Sequence, residues 1–371
     1  MASSTVNRLS IMAFFALLHL PELAGAQPAA RFDYSGVDAF WPLMATLQRG
    51  TEPSTAAWDR MFATPGYAAL ETREHRRAAL QAAMRLAFMP ALAAARDSAI
   101  NGSGFAARSL RHLLQLPAAR DSVERFREEL SRSSVLDAAR QRVAAFVPTG
   151  LTDSVASPPV ALVFFLDDGR GYPTLIVGDL LRLSRAGMDT GYFAHEFYHA
   201  YRRRFAVAYR APAAADAGLE ELLAYPVEEG TADQLDKRAY AEMNDPEFAS
   251  VMRRPGAPTY APGYRDNYRR AADWMQLLSR ALERAAEMPD SANAIARSVR
   301  DSLPDSGRPL GAFMARTIDQ RLGRNALVPA GADQYAFWFE YDRAAARAGP
   351  GAPRLSVAAM QVIARLRAAY R

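Results

Sequence analysis

From Asp33 to Phe146 apolar residues recur at spacings of three and four, the period of a helix with one buried face. The pattern is interrupted at Gly50, Pro65, Pro90, Asn101-Gly102 and Pro117. This predicts consecutive helices separated by short turns. The last of them, Pro117 to Phe146, interleaves charges at helical spacing and predicts one long amphipathic helix ended by Pro148-Thr149-Gly150. The texture then changes. Val160 to Leu166 is a continuous apolar, β-branched run, Asp167-Asp168-Gly169-Arg170-Gly171 is turn chemistry, and Thr174 to Val177 is a second short β-rich run, so two strands joined by a tight loop are expected. After Gly187, Asp189 or Thr190 can cap a helix running to about Phe205. Helical patterning returns beyond Ala217, broken at Pro226, by a Pro/Gly-rich loop from Arg254 to Gly263, and between Pro304 and Pro309. The expected fold is mainly α (α+β): a helical scaffold over 27–150, then a region over 151–371 in which a small β-sheet lies next to the helix at 190–205, with a helical C-terminal part. No repeat of fixed period interrupts this reading.

Composition adjusts the picture in three places. A chain of 371 residues, half hydrophobic and 23% charged, can bury a large core. Its net charge of +5 and pI near 9.5 would suit a nucleic-acid or anionic-membrane partner. Yet the positive charge is almost all arginine, with Lys237 the sole lysine, and it is dispersed among acids, so no nucleic-acid partner is expected. The one tight run, Arg202-Arg203-Arg204, reads as the solvated end of a helix. The N-terminus has the three parts of an export signal: Arg8, the apolar run Leu9 to Leu20, and small residues Ala24-Gly25-Ala26 before Gln27. A signal peptide over 1–26 implies a periplasmic or secreted protein with no stable membrane insertion after cleavage, since the apolar run is too short to span a bilayer. The absence of cysteine excludes disulfides, thiolate ligands and cysteine nucleophiles, leaving His, Asp and Glu to hold any metal.

The helix expected from Asp189 to Phe205 contains His195-Glu196-Phe197-Tyr198-His199. Residues four apart share a helix face, so both imidazoles can reach one ion while Glu196 projects beside it. Two histidines, one further protein ligand and a water make the site of a catalytic zinc ion, with Glu196 accepting the water's proton and passing it to the leaving amine. With five histidines in the chain, the number of such motifs expected by chance is on the order of 0.004. No histidine follows His199, so the pattern HExxHxxGxxH is absent, and only His75 and His112 lie upstream in the mature chain. The third ligand is therefore sought in Glu228-Glu229-Gly230-Thr231-Ala232-Asp233, on a helix expected to restart with Pro226 in its first turn. Glu229 and Asp233 share a face, which allows Glu229 to bind the metal while Asp233 holds the far nitrogen of a ligating histidine. Asp233 itself, Glu228, Glu220 and Glu221 are the alternatives.

These residues resemble the gluzincin metallopeptidases, in which HExxH is followed by a glutamate ligand on a later helix. HEFYH followed by EEGTAD is similar, more narrowly, to uncharacterised exported bacterial zinc-dependent peptidases. The specific likeness covers His195 to Asp233, and a weaker one continues through Gly311-Ala312-Phe313-Met314-Ala315 to Phe337–Tyr341. The resemblance implies a zincin-like helical metallopeptidase holding one Zn2+ through His195, His199 and Glu229, with Glu196 catalytic and peptides or proteins as substrates. It also implies that the strand Thr174 to Val177 borders the cleft and pairs with extended substrate. Gly230-Thr231-Ala232-Asp233 departs toward the aspzincin pattern GTxD, in which the aspartate is the ligand, but the tyrosine and glycine that should follow are replaced by Gln234-Leu235-Asp236. Oxyanion stabilisation would fall to a tyrosine, with Tyr260, Tyr264, Tyr268, Tyr335 and Tyr341 as candidates. Two other readings compete: a metal-binding or substrate-capturing module without turnover, against which Glu196 speaks, and a zinc hydrolase acting on a non-peptide bond.

Overall fold

The computed structural model describes residues 31–253 and 257–371. The expected signal peptide, its cleavage point before Gln27 and part of the expected loop after Arg254 lie outside the described residues. The structure is 72% helical with one four-stranded sheet, the mainly α (α+β) class expected. The strands are β1 (Phe32–Asp33), β2 (Val160–Val163), β3 (Gly169–Gly171) and β4 (Ile176–Asp179), in the order β1-β2-β4-β3. β1 and β4 both run parallel to β2, whereas β3 is antiparallel to β4, pairing Gly169 with Gly178 and Gly171 with Ile176. Every residue of β2 and β4 is buried, which is why β2 reads as an apolar run, and β4 ends on the buried Asp179.

Two expectations are corrected here. The runs at 160–166 and 174–177 are neighbouring parallel strands and are not joined simply by a tight loop, because the turn-like stretch between them contributes β3. Because β4 has partners on both sides, the expected pairing of substrate with Thr174 to Val177 has no free edge, and the terminal strand on that side of the sheet is β3. The sequence hid this strand because its glycines carry no β-propensity; its neighbours require them, as shown below.

The helices that matter for the site are α1 (Ser35–Gln48), α2 (Pro65–Glu74), α3 (Gly104–Leu113), α4 (Leu116–Ser131), α5 (Val135–Ala144), α6 (Leu180–Ala186), α7 (Thr190–Phe205), α8 (Ala217–Asp236), α9 (Ala261–Arg269) and α10 (Arg308–Leu322). The single helix expected from Pro117 to Phe146 is two, α4 and α5, parted at Arg132-Ser133-Ser134. There Ser131 and Ser133 hydroxyls bond to the carbonyls of Arg127 and Leu130, the competition with the helical ladder that serines offer. Pro226 lies well inside α8 and not near its first turn. α9 begins at Ala261, so the expected loop to Gly263 ends earlier. Of the arginine run only Arg203 and Arg204 are solvated. Arg202 is buried and donates to Gly331 O at 2.8 Å, because it lies on the inward face of α7.

One continuous core extends from Val37 to Tyr370. The N-terminal helices close over the sheet: Phe40 of α1 packs edge-on to Phe164 just past β2, and Tyr67 of α2 exchanges hydrogen bonds with the Phe164 backbone at 2.9 and 3.2 Å. His112 of α3 meets Asp179 at the end of β4 at 2.8 Å. The sheet is thereby fixed from behind, and α7 packs on its β3 and β4 side.

Candidate metal centre

Asp189 caps α7 as expected, accepting from Gly191 N and Tyr192 N at 2.8 and 3.2 Å. The helix is buried from Gly191 to Arg202, His195, Glu196 and His199 included. Polar side chains at such depth require partners. Those of the histidines come from α8, which lies alongside and turns Glu228, Glu229, Asp233 and Asp236 toward them.

The four carboxylates divide between the two nitrogens of each ring. Asp236 Oδ1 lies 3.2 Å from His195 Nδ1, and Glu228 Oε1 lies 3.0 Å from His199 Nδ1. Carboxylates there favour protons on Nδ1 and direct both Nε2 lone pairs to the opposite side. On that side the two Nε2 atoms are 3.1 Å apart, and the Glu229 carboxylate approaches them at 3.5 Å (Oε2 to His195) and 3.4 Å (Oε1 to His199). Ligands about 2.05 Å from a tetrahedral zinc ion are separated by about 3.3 Å. The two Nε2 atoms thus stand near the edge length of a metal tetrahedron, and the Glu229 carboxylate faces each of them through a different oxygen at a similar distance. Glu229 Oε2 is also a buried acceptor without a well-aligned hydrogen bond, although Arg308 Nη2 is 2.7 Å away.

Charge supports the same fit. Glu228, Glu229, Asp233 and Asp236 meet Arg202, Lys237 and Arg308, so carboxylates outnumber the fixed cations around the two rings. The excess is visible in His195: burial alone would lower its pKa, but the Asp236 carboxylate more than reverses this and raises it to about 10. Burial likewise acts to raise Glu229, and Arg308 and His199 overcome it, holding the carboxyl well below its ordinary range.

A second grouping, His195 with Asp233 and Asp236, lies on the Nδ1 side of the ring. Lys237 already fills it, with Nζ 2.6 Å from Asp233 and 3.0 Å from Asp236. Asp233 therefore faces His195 as expected, at 3.4 Å, but the carboxylate that hydrogen-bonds the ring is Asp236. The sequence carried a signal for it: Glu229, Asp233 and Asp236 follow the spacing of a single helical face. Glu220 and Glu221 are elsewhere, bonded to Gln334 and Arg300.

A cleft of about 620 Å³ opens beside His195 and Glu196, bounded by α6, α9 and the start of α10. Of the candidate tyrosines, Tyr260 and Tyr264 line it, while Tyr268 stacks on Phe313, Tyr335 on Tyr209, and Tyr341 bonds Pro353 O. Tyr192, one turn before Glu196, also lines the cleft and was not anticipated. The glycines of β3 explain how close the sheet comes. A Cβ at Gly171 would lie 2.8 Å from the Glu196 carbonyl oxygen and from His199 Cβ, and one at Gly169 would lie 2.7 Å from Glu196 Oε1. The strand is seated against the motif from outside by Glu74 of α2, which accepts from Arg170 Nε and Tyr172 Oη at 2.7 Å each.

Sequence reasoning also missed Arg308. Its Nη2 lies 2.9 Å from His195 Nε2, and its Nε donates to Asp233 Oδ1 at 3.1 Å. Burial acts to depress its pKa, but Asp233 and Glu229 hold it well above the ordinary value. The turn leading into it is strained: Asp305 and Ser306 both adopt left-handed conformations, at φ 46° and 55°, ahead of Gly307 at 91°. Such non-glycine residues cost on the order of 1–3 kcal/mol each and persist where the surroundings dictate them. Here the dictating contact is α8 against α10, where a Cβ at Gly230 or Gly311 would overlap the backbone of the other helix.

A model of the family described as "Putative zinc dependent peptidase (DUF5700)" matches residues 58–349, which include both helices of the centre. No curated protein and no solved structure matches the chain.

Proposed function

Since the chain belongs to this family of zinc-dependent peptidases, we propose that it is an exported metallopeptidase in which His195, His199 and Glu229 bind one zinc ion and Glu196 is the general base. The observation that carries this reading is the mutual spacing of the three groups, 3.1, 3.4 and 3.5 Å, with a separate carboxylate behind each histidine. The chemistry supplied by a bound zinc ion is Lewis acidity, which makes water a nucleophile near neutral pH and polarises a carbonyl.

The remaining steps belong to the protein. Glu196 takes a proton from the attacking water and returns it to the amine as the C–N bond breaks. Asp236 and Glu228 favour the proton on Nδ1 and so turn Nε2 to the ligand side, where the His195 lone pair that Arg308 Nη2 otherwise faces at 2.9 Å goes to the ion. The terminal strand β3, not β4, is the edge that an extended peptide would join, and its glycines leave the backbone open next to Glu196. Export rests on the tripartite N-terminus, and intact-mass analysis of the secreted protein should give a chain beginning at or near Gln27. Catalysis is tested by Glu196→Gln, which should retain zinc but lose at least about 10²-fold in turnover of any peptide that the wild type cleaves. Wild-type turnover by that variant would refute the mechanism.

A further inference from the structure

We propose that Arg308 is the oxyanion-stabilising catalytic residue, a role that no tyrosine in the cleft fills as well. The inference rests on the peptidase reading above. Arg308 is the charged donor that touches two of the three candidate ligands, with Nη2 2.9 Å from His195 Nε2 and 2.7 Å from Glu229 Oε2. Nε is held by both oxygens of Asp233, at 3.1 and 3.2 Å. Among the described residues Nη1 has no hydrogen-bond partner and is not enclosed, while Arg308 lines the cleft that Glu196 also lines. Two of the three guanidinium nitrogens thus orient the group and the third is free for a ligand. None of the three cleft tyrosines shares this position: Tyr192 Oη and Tyr264 Oη are buried, and Tyr260 lies toward Lys237.

The turn before Arg308 points the same way. Two left-handed non-glycine residues, followed by a helix pressed backbone-to-backbone on α8, set the first residue of α10 against Glu229 and Asp233. Residues held in such conformations by their surroundings cluster at active sites. A donor fixed before the reaction has no reorganisation to undergo as charge develops.

In the step assigned to it, the oxygen of water bonds to the scissile carbonyl carbon, and the π pair of the C=O moves onto the carbonyl oxygen. Glu196 takes the proton from the water. Arg308 donates through Nη1 to that oxygen while it is negative. When the C–N bond breaks, its pair leaves with nitrogen, which takes the proton from Glu196. The C=O re-forms, and one water is consumed.

The test is calorimetric binding to zinc-loaded protein of a peptide phosphonate, whose tetrahedral anionic phosphoryl group mimics the intermediate, beside a matched uncleavable peptide with a planar carbonyl isostere. Arg308→Gln should weaken the phosphonate by about 10²-fold or more, weaken the planar analogue less than threefold, and leave zinc content at one per chain. Arg308→Lys, which keeps the charge facing Asp233 but not the fork, should fall between and covers failure of the glutamine variant to fold. Equal losses for both analogues, or an unchanged phosphonate affinity, would overturn the assignment. So would a loss confined to peptides with a free C-terminal carboxylate, which would make Arg308 a substrate-terminus anchor. Failure of the wild type to bind zinc or phosphonate would overturn the peptidase reading, and Arg308's role with it.

Discussion

His112 and His195 each set a ring nitrogen against a buried aspartate, Asp179 at 2.8 Å and Asp236 at 3.2 Å, yet the two regions do opposite things. Around His112 the accounts are complete. Asp179 accepts from the imidazole, from Arg182 N at 2.9 Å and from Phe165 N at 2.8 Å, so one carboxylate ties α3, β4, α6 and the residues after β2 together. Around His195 they are left open: a second histidine faces it nitrogen to nitrogen, Glu229 Oε2 is buried without a well-aligned hydrogen bond although Arg308 is ion-paired to it, and acids outnumber cations. A satisfied buried pair fixes a fold. An unsatisfied convergence of lone pairs at metal-ligand spacing is costly to a bare protein and useful once a cation joins it.

The contrast breaks most decisively on activity. His195→Ala should abolish zinc binding and turnover together, whereas His112→Ala should leave kcat per folded molecule and zinc content close to wild type. Loss of zinc from the His112 variant would show that the two regions are not independent. Next in size is metal affinity. Glu229→Ala should remove most zinc, and Asp236→Ala or Glu228→Ala should weaken it about 10- to 100-fold, the usual cost of losing the group behind a ligating histidine. Titration against a chelator ranks these variants, and a more severe loss in Asp233→Ala than in Glu229→Ala would move the ion to the other side of the ring.

The same contrast explains how much could be read in advance. The shared face of His195 and His199 was legible because helical periodicity alone dictates it, Glu229 was one of several acids that spacing left open, and the β2 run was legible because a central parallel strand is apolar throughout. Arg308 and β3 were not, since both are set by packing between segments distant in sequence. The β3 glycines are dictated by Glu196 and His199, and the start of α10 by Gly230 and Pro226 of α8. Pro226 looked like a helix start because proline lacks a donor, but its actual place inside α8 is against the α10 backbone at Gly311.

Smaller effects belong to the satisfied region. Replacing His112 by Gln removes a hydrogen bond to a charged group and should cost about 1.5–3 kcal/mol in denaturant unfolding. Burial pulls the His112 pKa down, and Asp179 more than compensates, so the folded value lies above the ordinary 6.5. A raised histidine pKa stabilises fully below the unfolded value, and the gain is lost as pH rises through the folded value. The wild-type advantage over His112→Gln should therefore shrink above neutral pH, and an advantage that grows there would mean the ring is neutral. The smallest effect is expected at Glu74, whose replacement by Ala frees Arg170 and Tyr172 at the outer face of β3 and should cost about 1 kcal/mol.

The central claim is the location of the ion. Anomalous diffraction at the zinc edge from zinc-loaded crystals should give one strong peak about 2.0–2.2 Å from His195 Nε2, His199 Nε2 and a Glu229 oxygen. A peak on the Nδ1 side of His195, among Asp233 and Asp236, would contradict it.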